Sequence, residues 1–85
     1  MEIQHILKRD GRVVAFDSEK IAQAMAAAGQ STGELDLHGA RARTGTVIAK
    51  LDGNVCPGVE TIQSRVEEAL VQAGYLRTAR AYIVH

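Results

Sequence analysis

The stretch Lys8-Arg9-Asp10-Gly11-Arg12-Val13-Val14-Ala15-Phe16-Asp17-Ser18-Glu19-Lys20-Ile21 decides the reading of the fold, because it sets four cationic side chains around a tight turn and a helix start. Asp10-Gly11 is a two-residue hairpin signal, since Gly accepts positive φ and Asp tolerates it, and it lies between Ile6-Leu7 and Val13-Val14, which read as strand. On that reading Lys8 and Arg9 occupy one arm and Arg12 the other. Beyond the second arm Asp17 is suited to cap a helix. Phe16 before it and Ile21 four residues inside have the spacing of a hydrophobic staple. Lys20 then projects from the first helical turn. Cations gathered at a turn and a helix start make a place to hold a polyphosphate, although residue types alone also describe an ordinary hairpin with solvated charges.

The 85 residues make one domain, large enough for a single core. Hydrophobic content of 46% supports a folded chain, and only 4% aromatic residues means that Ala, Val, Ile and Leu must build most of the core. Ten basic and ten acidic residues cancel, so there is no global field to draw the domain onto nucleic acid or an anionic membrane, while local basic clusters can still bind a small anion. Cys56 is alone, which excludes an intramolecular disulfide and spells out no Cys-based metal site; a reducing, cytoplasmic setting is expected. The N-terminus lacks the pattern of a signal peptide, and no apolar run nears the length of a membrane span.

Periodicity divides the chain into elements. Ile3 to Lys8 and Arg12 to Ala15 form the hairpin. A first helix runs from Ser18 to about Ala28, with Ile21, Ala24, Met25 and Ala28 on its buried stripe and Gly29 available as terminator. Its Ala-rich face invites close helix approach, and Gln30 to Leu35 reads as a loop. Asp36 caps a second helix with Leu37, Ala40, Thr44, Val47, Ile48 and Leu51 on one face; Gly45 weakens it and marks a close contact, and Asp52-Gly53-Asn54 ends it. Pro57-Gly58 limits any strand in Val55 to Val59 to a few residues or an edge, and periodicity leaves open whether it joins the hairpin. A third helix starts at about Glu60, buries Ile62, Val66, Ala69, Leu70 and Ala73, turns Glu67 and Glu68 to water, and stops at Gly74. A last helix from Arg77 buries Ala79, Tyr82 and Ile83, with Tyr75 and Leu76 packing the corner before it.

The run KRDGRVVAFDSEKI resembles the opening of the ATP-cone, a small regulatory nucleotide-binding domain at the N-terminus of many ribonucleotide reductases. The similarity continues through Ala28, Gly29, Thr32, Gly33 and Glu34, then Val59-Glu60-Thr61-Ile62-Gln63 with Val66-Glu67, and ends with Gly74-Tyr75 and Thr78-Ala79-Arg80-Ala81-Tyr82-Ile83. Ala15 departs from it where proline is frequent, and the chain stops at His85 where the family usually continues with basic residues. The resemblance implies an α+β fold, a four-helix bundle capped by a three-stranded sheet, and it is this that chooses the strand count.

The resemblance also implies roles. Lys8 and Arg9 would pair with phosphates, Arg9 by a two-pronged contact, and Lys20 would close the phosphate side. Val13 and Val14 would line the adenine with Ile21 and Ile62, while Val59 and Gln63 would sit across the pocket. Asp17 stands where the family has a base or ribose contact, but capping competes for the same oxygens. Arg12 would be solvated. The implied function is allosteric sensing of ATP or dATP, with or without Mg²⁺, as the excised N-terminal domain of a reductase. It most resembles the anaerobic triphosphate or the cobalamin-dependent type, and of these the anaerobic. The partners implied are adenine nucleotides, the parent's catalytic domain and other copies through the domain, without direct nucleic acid or membrane contact.

Catalytic constellations are missing from the pattern. The chain has no P-loop, no metal-ligand spacing among His5, His38, His85 and Cys56, and no His base near Ser18, Ser31 or Ser64 in sequence, so neither a catalytic nor a metal-binding residue is expected. A triphosphate site without a Mg-holding acidic cluster and a positioned base suits a sensor better than a catalyst. Two rivals are weighed against it. A repressor of reductase genes that shares the domain also needs a zinc ribbon of paired cysteines, which one Cys excludes for this chain. An interaction module that has lost its nucleotide sits poorly with Lys8, Arg9 and Lys20.

Overall fold

The computed structural model describes residues 3–51 and 56–84. In chain order these form β1 (His5–Leu7), β2 (Val13–Ala15), α1 (Ser18–Thr32), α2 (Leu37–Lys50), α3 (Val59–Gln72) and α4 (Leu76–Val84). β1 and β2 are antiparallel, pairing His5 with Ala15, Ile6 with Val14 and Leu7 with Val13. Their turn is not the two-residue form expected. The Gly11 amide donates to the Lys8 carbonyl and the Lys8 amide to the Arg12 carbonyl, so Arg9, Asp10 and Gly11 form a three-residue loop. Gly11 alone of the three has positive φ, at 89°. Asp10 can keep ordinary backbone angles in such a loop, whereas the two-residue turn needs positive φ at both positions. Arg9 therefore stands in the turn and not on an arm.

A sheet of two strands replaces the expected three among the described residues. The third segment contributes one parallel bridge between Leu7 and Gly58, with the Leu7 amide donating to the Pro57 carbonyl at 3.0 Å. Pro57 has no amide to return, and Gly58 is already the cap of α3, so among the described residues the pairing is a single bridge. Val55, part of that expected strand, and the Asp52-Gly53-Asn54 stop lie outside the described residues.

Asp17 caps α1 by accepting from the Glu19 amide at 3.0 Å, and Phe16 packs on the core cluster to which Ile21 belongs. The helix then passes the expected stop at Gly29 and ends at Thr32, with Gly33 in the left-handed conformation. Gly29 serves a different purpose: a Cβ there would lie 2.5 Å from both the Cβ and the carbonyl oxygen of Leu35. Gln30, Ser31 and Thr32, which read as loop in the sequence, are helical, and the Ser31 and Thr32 hydroxyls bond back to the Ala28 and Gly29 carbonyls instead of drawing the backbone out of the helix. Asp36 caps α2 through the Gly39 amide, as expected. A Cβ at Gly45 would meet nothing within 4 Å, so the close contact expected there falls instead at Gly39, again against Leu35.

Each helix packs on two others, α1 meeting α2 and α4, and α3 meeting the same pair. Met25, Val47, Val66 and Leu70 are fully enclosed between them. α4 buries Thr78 and Ala79, but Leu76 and Ile83, expected to pack inward, are 62% and 60% exposed. Seven residues apart, they share the outer face of the helix. The start of α4 is fixed by Glu34, whose Oε1 accepts from the Thr78 amide at 2.7 Å and the Thr78 hydroxyl at 2.8 Å, while Thr32 Oγ1 lies 3.0 Å from that hydroxyl. Burial raises the Glu34 pKa, but the hydroxyl and amide of Thr78, the Arg77 amide and the Arg77 charge outweigh it and hold the carboxyl below its usual range. No helix among the described residues is long and apolar enough to cross a membrane.

The two glycines should respond to alanine in opposite directions in denaturant unfolding. Gly29→Ala gains about 1 kcal/mol of helix propensity but must push Leu35 and its backbone, an overpacking cost of about 1 to 3 kcal/mol, and is expected to destabilise. Gly45→Ala meets nothing and is expected to stabilise by about 0.5 to 1 kcal/mol. For Glu34 the folded pKa is depressed, so its contribution is present above the unfolded carboxylate pKa and is lost as pH falls through the folded one. The wild-type Tm should fall more than that of Glu34→Gln between about pH 6 and about pH 3; parallel curves would contradict the contact.

Candidate functional site

The three-residue turn aims Arg9 at the first turn of α3. Its Nη2 donates to Gln63 Oε1 at 2.9 Å, and its Nε lies 3.5 Å from Glu60 Oε1. Both charged side chains remain largely exposed, 65% for Arg9 and 76% for Glu60. Beside this contact a cavity of about 380 Å³ opens between α1, α3 and α4, lined by Arg9, Ala24, Ala28, Gln63, Glu67 and Tyr82 together with Ile83. The volume lies within the range of small-molecule sites, roughly 300 to 1,000 Å³. The Ala-rich face of α1, expected to bring helices close, here also leaves room. Burial pushes the Tyr82 phenol up from its ordinary value, and the Glu67 charge adds to this.

The residues expected to act together are distributed as follows. Arg9 and Gln63 meet directly. Lys8 is half-buried at the base of the turn, and Lys20 is exposed on the first turn of α1. Val14 shares the inner face of the hairpin with Ile6, which packs on the core, but Val13 is 58% exposed on the opposite face. The two valines cannot share a wall by their side chains, because successive strand residues point to opposite faces. Ile21 and Ile62 are members of the core, and Val59 is half-buried at the first position of α3. Asp17 spends Oδ1 on its capping bond. Arg12 is held by Asp10 at 2.7 Å and reaches no other element through that contact.

Sequence reasoning misses Glu60, Glu67 and Tyr82 as site residues. Glu60 and Gln63 are three apart on α3 and therefore share a face, a spacing that draws Glu60 in once Gln63 is chosen. Glu67, four residues beyond Gln63, continues the same stripe and lines the cavity, where the periodicity turns it to water. Tyr82, expected in the core, is only half-buried and lines the cavity as well. Two further concavities carry carboxylates in place of cations: one of about 480 Å³ with Glu34 and Asp36, and one of about 390 Å³ with Glu67 and Glu68. The cavity at Arg9 differs from both in having a guanidinium beside its carboxylate, Glu67.

Comparison with known proteins agrees with the motif pattern. Residues 4–85 match the ATP cone domain. The chain is 33% identical over 79 residues to the anaerobic ribonucleoside-triphosphate reductases of Salmonella typhimurium and Escherichia coli, covering 93% of this chain and 11% of each reductase. It is 32% identical over 88 residues to the vitamin B12-dependent ribonucleoside-diphosphate reductase of Thermoplasma acidophilum, covering 98% of this chain and 12% of that protein. The chain thus spans about a ninth of the length of the relatives it matches. With the match extending from the β1 hairpin through α4, the chain belongs to the ATP cone domain family.

Proposed function

We propose that this chain is the nucleotide-sensing unit of a ribonucleotide reductase, binding ATP or dATP as an effector and performing no chemistry itself. The observation that carries the reading is Arg9, poised on the turn beside a cavity of nucleotide-compatible size, in a chain of this family. Lys8 and Arg9 hold the phosphates, with Lys20 approaching from α1. Val14, on the inner face of the hairpin, supplies apolar surface for the base, backed by Ile21 and Ile62 in the core outside the cavity lining; the backbone at Val13 and Val14 reads the base edge, and Gln63 stands beside Arg9 with Val59 one turn before it on α3. Asp17 reaches the ribose or base only with the oxygen its cap leaves available. Mg²⁺, where carried, arrives with the nucleotide.

Sensing requires a differential contact, because ATP and dATP differ only in the ribose 2′-hydroxyl and a ligand moves an equilibrium only by its difference in affinity for the two states. The packing of this unit on the parent's catalytic portion, or on a second copy, is what such a difference would change. The Salmonella typhimurium and Escherichia coli relatives support a parent of the anaerobic triphosphate type, and the reading assigns it to the cytoplasm.

Calorimetric titration of the domain should show ATP and dATP binding more tightly than GTP, since polar groups left unpaired by the guanine edge cost about 1 to 3 kcal/mol. Lys8→Ala and Arg9→Ala should each weaken binding about ten- to hundredfold with the fold intact, as expected for a charge-assisted phosphate contact worth about 1.5 to 3 kcal/mol. Arg12→Ala, whose partner is Asp10, should do far less; Arg12→Ala as the most damaging of the three would refute the assignment. Phosphate release from ATP with Mg²⁺ over hours should stay at background, and release abolished by Arg9→Ala would make the chain an enzyme.

A further inference from the structure

We propose that Glu60 is a positioning residue that competes with the nucleotide phosphates for Arg9, so that binding exchanges a bond between the hairpin and α3 for one between the hairpin and the ligand. The inference rests on the nucleotide-sensing reading above. Arg9 has two partners on α3, Gln63 at 2.9 Å and Glu60 at 3.5 Å, one turn apart on one face of the helix. Gln63 is neutral and can stay beside the guanidinium when an anion arrives. Glu60 cannot, because its carboxylate occupies a side of Arg9 that a phosphate would use, and at this range two anions repel well inside the screening length of about 8 Å.

The neighbouring Arg12 of the hairpin behaves differently. It pairs with Asp10 within the same turn, so exchanging its partner would leave the turn unconnected to anything new. The Arg9–Glu60 pair spans two elements and is largely exposed, which makes it weak and exchangeable. Its loss leaves the tip of the hairpin tied to α3 through Gln63, and the base of the hairpin tied by the Leu7–Pro57 bond to the segment before α3. Glu60 thus sets the affinity of the site and marks the contact whose state reports occupancy. Glu67 also lines the cavity, but among the described residues it is Glu60 that pairs with Arg9.

The test is a cycle of wild type, Glu60→Gln, Arg9→Ala and the double variant, each titrated calorimetrically with ATP, with and without Mg²⁺, after thermal unfolding has shown that all four fold. Glu60→Gln is expected to bind ATP about two- to fivefold more tightly than wild type, the size of an exposed pair, and the double variant to bind like Arg9→Ala. In the ligand-free protein the Arg9 Nε–H resonance should move in Glu60→Gln, and in wild type it should move on saturation with ATP. Unchanged affinity in Glu60→Gln, or tightening that persists in the Arg9→Ala background, overturns the proposal while leaving the sensing reading in place. Weaker binding confined to the Mg²⁺ arm also overturns it, because Glu60 would then be holding the cation. If neither wild type nor Glu60→Gln binds ATP, both readings fall.

Discussion

Leu35 sits in a slot that only glycine permits, with Gly29 of α1 on one side and Gly39 of α2 on the other. Each glycine lacks the methyl that would collide with it, so the last turn of α1 and the first turn of α2 approach until Leu35 is sealed between them. That contact fixes how the chain reverses after α1, and it fixes the direction of the neighbouring side chain. Glu34, one residue earlier, is thereby carried to the amide and hydroxyl of Thr78, at the opening of α4. Three elements are set by one buried leucine and its flanking carboxylate. A charged group at a helix N-terminus also complements the unpaired amides there, so packing and electrostatics reinforce each other.

The position of α4 matters because α4 supplies a wall of the cavity. Ala24 and Ala28 of α1, Gln63 and Glu67 of α3 and Tyr82 of α4 meet there only if α1 and α3 both contact α4, as they do. Beside the cavity, the backbone and side-chain bonds that hold the hairpin include the Phe16 amide to Gln4, the Leu7 amide to Pro57, and Arg9 to α3. A closed ring of helices therefore carries a lightly attached two-stranded ribbon, and an isolated two-stranded hairpin has little stability of its own. On the proposed reading, a nucleotide at Arg9 would act on this ribbon and not on Met25, Val66 or Leu70, which are enclosed in the core.

The charges follow the same division. Formal charge is zero over the chain, and the exposed ion pairs Arg12–Asp10, Arg41–Glu19 and Arg65–Glu68 decorate the surface at little energetic consequence. Arg9 differs from Arg12 because its partners belong to α3, so the pair reports on the relation between hairpin and helices. An effector whose phosphates engage Arg9 would act where the cations of the turn and the first turn of α3 converge.

Much of this is legible in the sequence, because caps and buried stripes are local. Asp17 and Asp36 cap as their positions imply, Gly74 ends the third helix with positive φ, and the family follows from short segments in order. Three-residue against two-residue turn is not legible, since Asp-Gly is compatible with both and the choice rests on where the Lys8 and Arg12 backbone groups pair. Nor can the sequence tell a terminating glycine from a packing glycine: Gly29 and Gly33 look alike in the chain, and only the approach of Leu35 separates them. The strand count comes from resemblance and shrinks, among the described residues, to a bridge where Pro57 has no amide to donate and Gly58 already caps α3. For the site, the resemblance nominates Arg9 and Gln63 but not that they touch, and it gives Glu60 no role there. Local chemistry fixes caps, turns and helix faces; which faces meet, and therefore which carboxylate ends beside which guanidinium, is decided by long-range packing that no window of the sequence contains.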